Sequence, residues 1–147
     1  MKNVNEAWRW MKQAENDPEF ARLARREGFF AQACFISQQA GEKALKSLRY
    51  TRGERFVFGH SLRELLKKLL PAYPRLEKFM ELAGLLDQYY IPTRYPNGLP
   101  DGIPAEAYNK TQAREAVEGA GKMIAEIKKL LPRETVVKRS TKKSKRS

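Results

Sequence analysis

Apolar residues recur at helical spacing from one end of this chain to the other, and no stretch alternates apolar and polar residues as a half-buried strand would. Val4, Trp8 and Met11 step along one face beside Ala7, Trp10 and Ala14, and the pattern resumes through Phe20, Leu23 and Ala24. Pro18 between them reads as a fresh helix start or a kink. Gly28 fits a C-terminal cap, so a second helix, carrying "FISQQAGEKALKSLRY" from Phe35 to Tyr50, folds back on the first. Ser61 stands three residues before Glu64, the spacing of a capping box, and opens a third helix through Leu62, Leu65, Leu66 and Leu69 that stops at Pro71. Leu76 to Tyr90 gives a fourth helix and Ala105 to Leu131 a long fifth, ended by Pro132. The expected fold is all-α, an antiparallel up-and-down bundle of four to five helices with a proline-rich loop before the last.

With 147 residues the chain holds about one domain's worth of core. Its formal charge of +12 is uneven, because the last ten residues carry six Lys or Arg and no acid. The remainder, with 23 bases against 17 acids, is only +6. A bundle over residues 1–133 and a basic, disordered tail over 134–147 are therefore expected. The body's charge permits an anionic partner without demanding one. A single Cys34 excludes a disulfide framework and fits a buried thiol in a reducing compartment, the cytoplasm being the simplest. No apolar run is long enough to span a membrane, and the N-terminus lacks a signal-peptide core.

Two segments carry more than packing. On the second helix Cys34, Gln38, Gly41, Leu45 and Leu48 share a stripe, with Ala40 and Ala44 nearby. The small residues let a neighbouring backbone approach, while Gln38 on the apolar stripe needs a partner from another element or subunit. Glu42 and Lys46 are spaced for an i,i+4 ion pair; alternatively Lys43 and Lys46 are nucleotide or phosphate contacts. In the second segment, "LDQYYIPTRYPNGLPDGIPAEAY", Pro92, Pro96, Pro100 and Pro104 recur every fourth residue and forbid about fourteen residues of regular structure. Arg94 lies beside Tyr95 and just after Tyr90, a forked cation among aromatic faces suited to a phosphate and a base. The other account has the tyrosines packing the loop onto the bundle and Arg94 bonding backbone carbonyls or Asp87.

"SQQAGEKALKSL", then "GHSLREL", then the tyrosine- and proline-rich segment before an Ala-rich helix, resembles the HEPN family over Val4 to Leu131. The resemblance implies a small helical bundle that forms a homodimer, often beside a minimal nucleotidyltransferase. It also implies nucleotide binding and, in many members, metal-independent RNA cleavage in toxin and antitoxin pairs. Cleaving members carry an Arg followed four to six residues later by a His, late in the bundle. Here Arg94 is followed by "YPNGLP", and the single histidine, His60, lies far upstream. Arg55 and His60 have a matching spacing in the wrong segment, where His60 also fits a structural place at a helix entrance. RNA cleavage needs a base for the 2'-hydroxyl and a cation for the phosphorane, and only the cation has a candidate in the expected region. One His, one Cys and no clustered acids give no metal ligand set, and no glycine-rich phosphate loop is present, so neither metal nor cofactor is expected.

The reading is a nucleotide- or RNA-binding module paired with a nucleotidyltransferase. Its phosphate contacts are Arg94, Tyr90, Tyr95, Lys43 and Lys46. The alternatives are an RNase toxin drawing on His60, Arg55 or Arg94 at a dimer interface, and a purely structural docking partner.

Overall fold

The computed structural model describes residues 3–134; the basic tail expected over 134–147 lies, but for its first residue, outside them. Helix α1 (Val4–Arg26) starts at Asn3, whose side chain accepts the Glu6 N–H at 3.3 Å. It runs unbroken through a buried Pro18, so the proline starts no new helix. It ends where Gly28 takes φ +87°, with Gly28 N–H donating to Arg25 at 3.2 Å and Phe29 N–H to Ala24 at 2.8 Å. That left-handed residue closes the last turn and reverses the chain into α2 (Phe30–Tyr50).

Asn3 N–H reaches the carbonyl of Tyr50 at 3.2 Å, so α1 and α2 lie antiparallel along their whole length. Ala7, Met11, Ala14, Ala21 and Ala24 of α1 are buried, as are Ala33, Ala40 and Ala44 of α2. Small side chains on both helices allow a close seam, which leaves little room for large ones. Gly41 marks the tightest point: a Cβ there would meet Leu62 Cδ2 and Met123 Cε at 2.8 Å each. The helix-propensity cost of that glycine, about 1 kcal/mol, is offset by the approach of two neighbouring elements.

The remaining helices are shorter and more broken than their periodicity predicts. Helix α3 (Leu62–Lys67) ends before Pro71, and the residues up to Ala72 form turns. The fourth segment begins as a 3-10 helix over Pro74–Phe79 and becomes α-helical only at α4 (Met80–Asp87). The predicted fifth helix is two: a single turn, α5 (Pro104–Ala107), and α6 (Lys110–Leu130). Asn109 makes the break. Its side chain accepts the Gln112 N–H while the Gln112 side chain accepts the Asn109 N–H, both at 2.9 Å, a capping box that periodicity alone does not register. Tyr108 is thereby held extended, its ring edge-on to Tyr89 at 5.8 Å.

Helix α6 packs antiparallel to α1, with Trp8 Nε1–H donating to the Pro132 carbonyl at 2.9 Å and Lys128 bridging Glu15 at 2.7 Å. Met123, Ile124 and Ile127 close the core against Leu45, Leu48 and Leu66. Cys34 is fully buried within it, and burial pushes its thiol up to about 12, so it stays protonated at neutral pH. Among the described residues no strand forms, and no helix is long and apolar enough to cross a membrane.

Candidate functional site

Beside this apolar core α2 carries a buried polar stripe. Gln38 is completely enclosed, and the Glu42 and Lys46 side chains are each 7% exposed. Lys46 donates to Glu42 at 3.0 Å, the expected i,i+4 pair. Lys43 is drawn to Asp17 on α1 at 2.5 Å. Both lysines offered as phosphate contacts thus spend their charge on carboxylates.

Gln38 finds its partners across the bundle. Its Nε2 donates to the His60 carbonyl at 3.1 Å and to Glu42 Oε1 at 3.3 Å, and its own oxygen accepts from Gln39 at 2.7 Å. The loop between α2 and α3 is thereby tied to the stripe, and Val57, buried, ties it again through its N–H to the Tyr50 hydroxyl at 3.3 Å. His60 Nδ1 then lies 3.2 Å from both oxygens of Glu42. A carboxylate only accepts, so this contact places the proton on Nδ1 and turns Nε2 outward. The imidazole is 57% exposed and stacks on Tyr90, ring centres 4.9 Å apart.

Tyr90 arrives from the end of α4, and its placement depends on Asp87. That carboxylate accepts from Ser61 Oγ at 2.8 Å, Leu62 N–H at 2.6 Å and Arg63 N–H at 3.2 Å. Asp87, across the bundle, thus satisfies the first two N–H groups of α3; of the box that the Ser61 and Glu64 spacing predicts, only the Ser61 half forms, with Ser61 Oγ accepting the Glu64 N–H at 3.2 Å. Joining α3 to α4 brings His60 and Tyr90 to one place. Tyr89, by contrast, turns inward and is buried, which raises its phenol to about 12.

Past α4 the loop folds on itself. Thr93 Oγ1 donates to the Tyr89 carbonyl at 2.5 Å, and Gly98 sits where a Cβ would meet Pro92 Cα at 2.9 Å. Arg94 Nε donates to the Tyr90 carbonyl at 2.8 Å, which is one half of the packing account. The rest of its guanidinium has no carboxylate or carbonyl among the described residues. It lies over three rings instead: Phe35 at 4.5 Å, Tyr90 at 4.6 Å and Tyr95 at 5.2 Å. Aromatic faces hold a cation without neutralising it.

His60 and Arg94, distant in sequence, therefore share one ring. The His60 ring centre and Arg94 Cζ are no further apart than the sum of their distances to Tyr90, 9.5 Å. Chemically the group offers a forked cation, an imidazole nitrogen open to solvent, and a buried carboxylate that orients the imidazole. Arg55 stays outside: it is exposed and makes no hydrogen bond or ion pair among the described residues. Phe35 and the Glu42 contact to His60 were not evident in the sequence. The buried polar stripe itself was their one signal.

The fold and this site define a small all-α bundle that gathers a cation, an imidazole and stacked aromatics, with a buried glutamate behind the imidazole. The HEPN domain profile matches residues 7–130, and the chain belongs to the HEPN family. It is similar to TT1696 from Thermus thermophilus, whose crystal structure superposes with a TM-score of 0.80 at 40% identity, over 85% of this chain and 98% of that one. ST0689, described as an archaeal HEPN homologue, gives a TM-score of 0.70 at 36% identity over 90% of this chain and all of its own. A Methanocaldococcus jannaschii protein named "Putative toxin MJ1304" is 27% identical over 144 residues, covering 88% of this chain and 90% of that one.

Proposed function

We propose that this chain is a cytoplasmic, toxin-type HEPN module that binds RNA or a nucleotide through Arg94 and Tyr90. It acts as a homodimer beside a nucleotidyltransferase partner. One observation carries the binding reading: a guanidinium held among three rings with no acidic partner among the described residues is a phosphate receptor already built. The name of the archaeal relative supports the toxin assignment. A second copy is supported by Phe20, Leu23 and Phe29, exposed along an apolar cleft of about 510 Å³. The transferase partner rests on the family resemblance.

A second reading, RNA cleavage, is favoured by His60 lying against Glu42 and sharing Tyr90 with Arg94. In that reaction His60 Nε2 takes the 2'-hydroxyl proton as the oxygen attacks phosphorus, Arg94 holds the phosphorane charge, and the P–O5' bond breaks to leave a 2',3'-cyclic phosphate and a 5'-hydroxyl that takes its proton from water.

The tail must be separated from the site, since its clustered cations bind RNA by counterion release whatever the bundle does. A chain ending at Arg133 is expected to retain RNA binding in fluorescence anisotropy and to cut unstructured RNA weakly at most. Binding that vanishes with the tail favours the docking-partner reading. Efficient cleavage in the presence of chelator, abolished by His60→Ala in a still-folded protein, establishes the second reading instead.

A further inference from the structure

The loop that delivers His60 has an unusual surface. Phe58 is 81% exposed and Phe56 66%, and the two rings stack on each other with centres 6.1 Å apart. Between them Val57 points inward and is buried, with its N–H on Tyr50. The loop therefore anchors Val57 and presents the phenylalanine on either side of it to solvent. Two phenylalanines side by side in water are costly to keep, and a patch of this kind marks a contact surface.

The surroundings select the occupant. Arg55, next to Phe56 in the chain, is exposed and forms no ion pair among the described residues, whereas Glu54, the acid before it, is already bridged to Arg49, and Arg52 lies over the Tyr73 ring at 5.9 Å. The patch is thus apolar, flat-sided and bordered by the positive charge of Arg55. A protein helix would ask for a groove, and an anionic peptide would have no use for two stacked rings. A single strand of RNA matches both features, with bases that stack on aromatic faces and a phosphate that meets Arg55. Two residues further on, past Gly59 at φ +102°, stands His60.

We infer that Phe56 and Phe58 form a base-stacking platform for single-stranded RNA, seating the nucleotides next to the one held at His60 and Arg94. The inference rests on the RNA reading of that site. It makes the preferred ligand an unpaired strand of more than one nucleotide, whose neighbouring bases occupy the platform and the His60 and Arg94 site together.

The test uses the full chain at a salt concentration high enough to suppress binding by the tail, with an oligoadenylate and an abasic strand of equal length as probes. The F56A/F58A protein should bind the oligoadenylate roughly 30-fold more weakly or worse and the abasic strand as before, with an unchanged salt slope. F56W/F58W should restore binding, and its tryptophan emission should be quenched by the oligoadenylate. Equal oligoadenylate affinity for F56A/F58A and the unaltered chain overturns the platform. So does a fall in mass by light scattering without loss of RNA affinity, which makes the rings a protein interface. If F56A/F58A weakens binding and Arg94→Ala does not, the platform stands and the Arg94 reading fails; the reverse result keeps Arg94 and discards the platform.

Discussion

Glu42→Ala is expected to lower the unfolding free energy by about 3–5 kcal/mol, the cost of breaking a buried ion pair from one side. Lys46 would be left 7% exposed with an ammonium whose one other neighbour of note is the Trp10 ring, 5.5 Å away. A cation–π contact does not replace a carboxylate at 3.0 Å. Gln38 and His60 would lose an acceptor as well, so the loop to α3 should loosen together with the core. Denaturant unfolding at neutral pH measures the loss. The double variant Glu42→Met with Lys46→Met removes both charges and should recover most of it, because an apolar pair of similar volume suits this position. A loss below about 1 kcal/mol in the single variant would show that water reaches the pair and that the stripe is not a buried network.

That network also shows what the sequence could and could not disclose. The pairing of Glu42 with Lys46 was legible because both lie on one helix at a spacing that has a fixed geometry. The third partner, His60, comes from a loop 18 residues further on, and no periodicity relates them. The bundle was legible for the same reason as the pair: amphipathic period and terminal signals such as Gly28 are local. Contacts set by tertiary partners were not, and Asp87 accepting the first N–H groups of α3 from α4 is the clearest of them. Arg94 was singled out from its aromatic neighbours Tyr90 and Tyr95, but Phe35 beneath it belongs to α2 and could be placed only by the fold. The absence of a histidine after Arg94 argued against catalysis along the chain, while in space His60 lies across Tyr90 from Arg94 and against Glu42 of α2.

The affinity consequence should be largest at Arg94. Arg94→Ala removes a charge-assisted contact to phosphate, and such bonds are worth about 1.5–3 kcal/mol, so RNA affinity of a chain ending at Arg133 should fall roughly 10- to 150-fold. The slope of log affinity against log salt should shrink by about 0.7, the value for one phosphate neutralised on a single strand. Stability should change little by comparison, because one hydrogen bond to the Tyr90 carbonyl is lost and the rings beneath can close over the gap. Arg94→Lys separates charge from shape. A lysine keeps the salt slope, but its ammonium offers no flat face to lie on Phe35 and Tyr90 and no fork for a phosphate, so part of the affinity should be lost. The opposite pattern, a marked fall in melting temperature with RNA affinity intact, would make Arg94 a clip that holds the proline-rich loop against Tyr90, and the phosphate would have to be sought elsewhere.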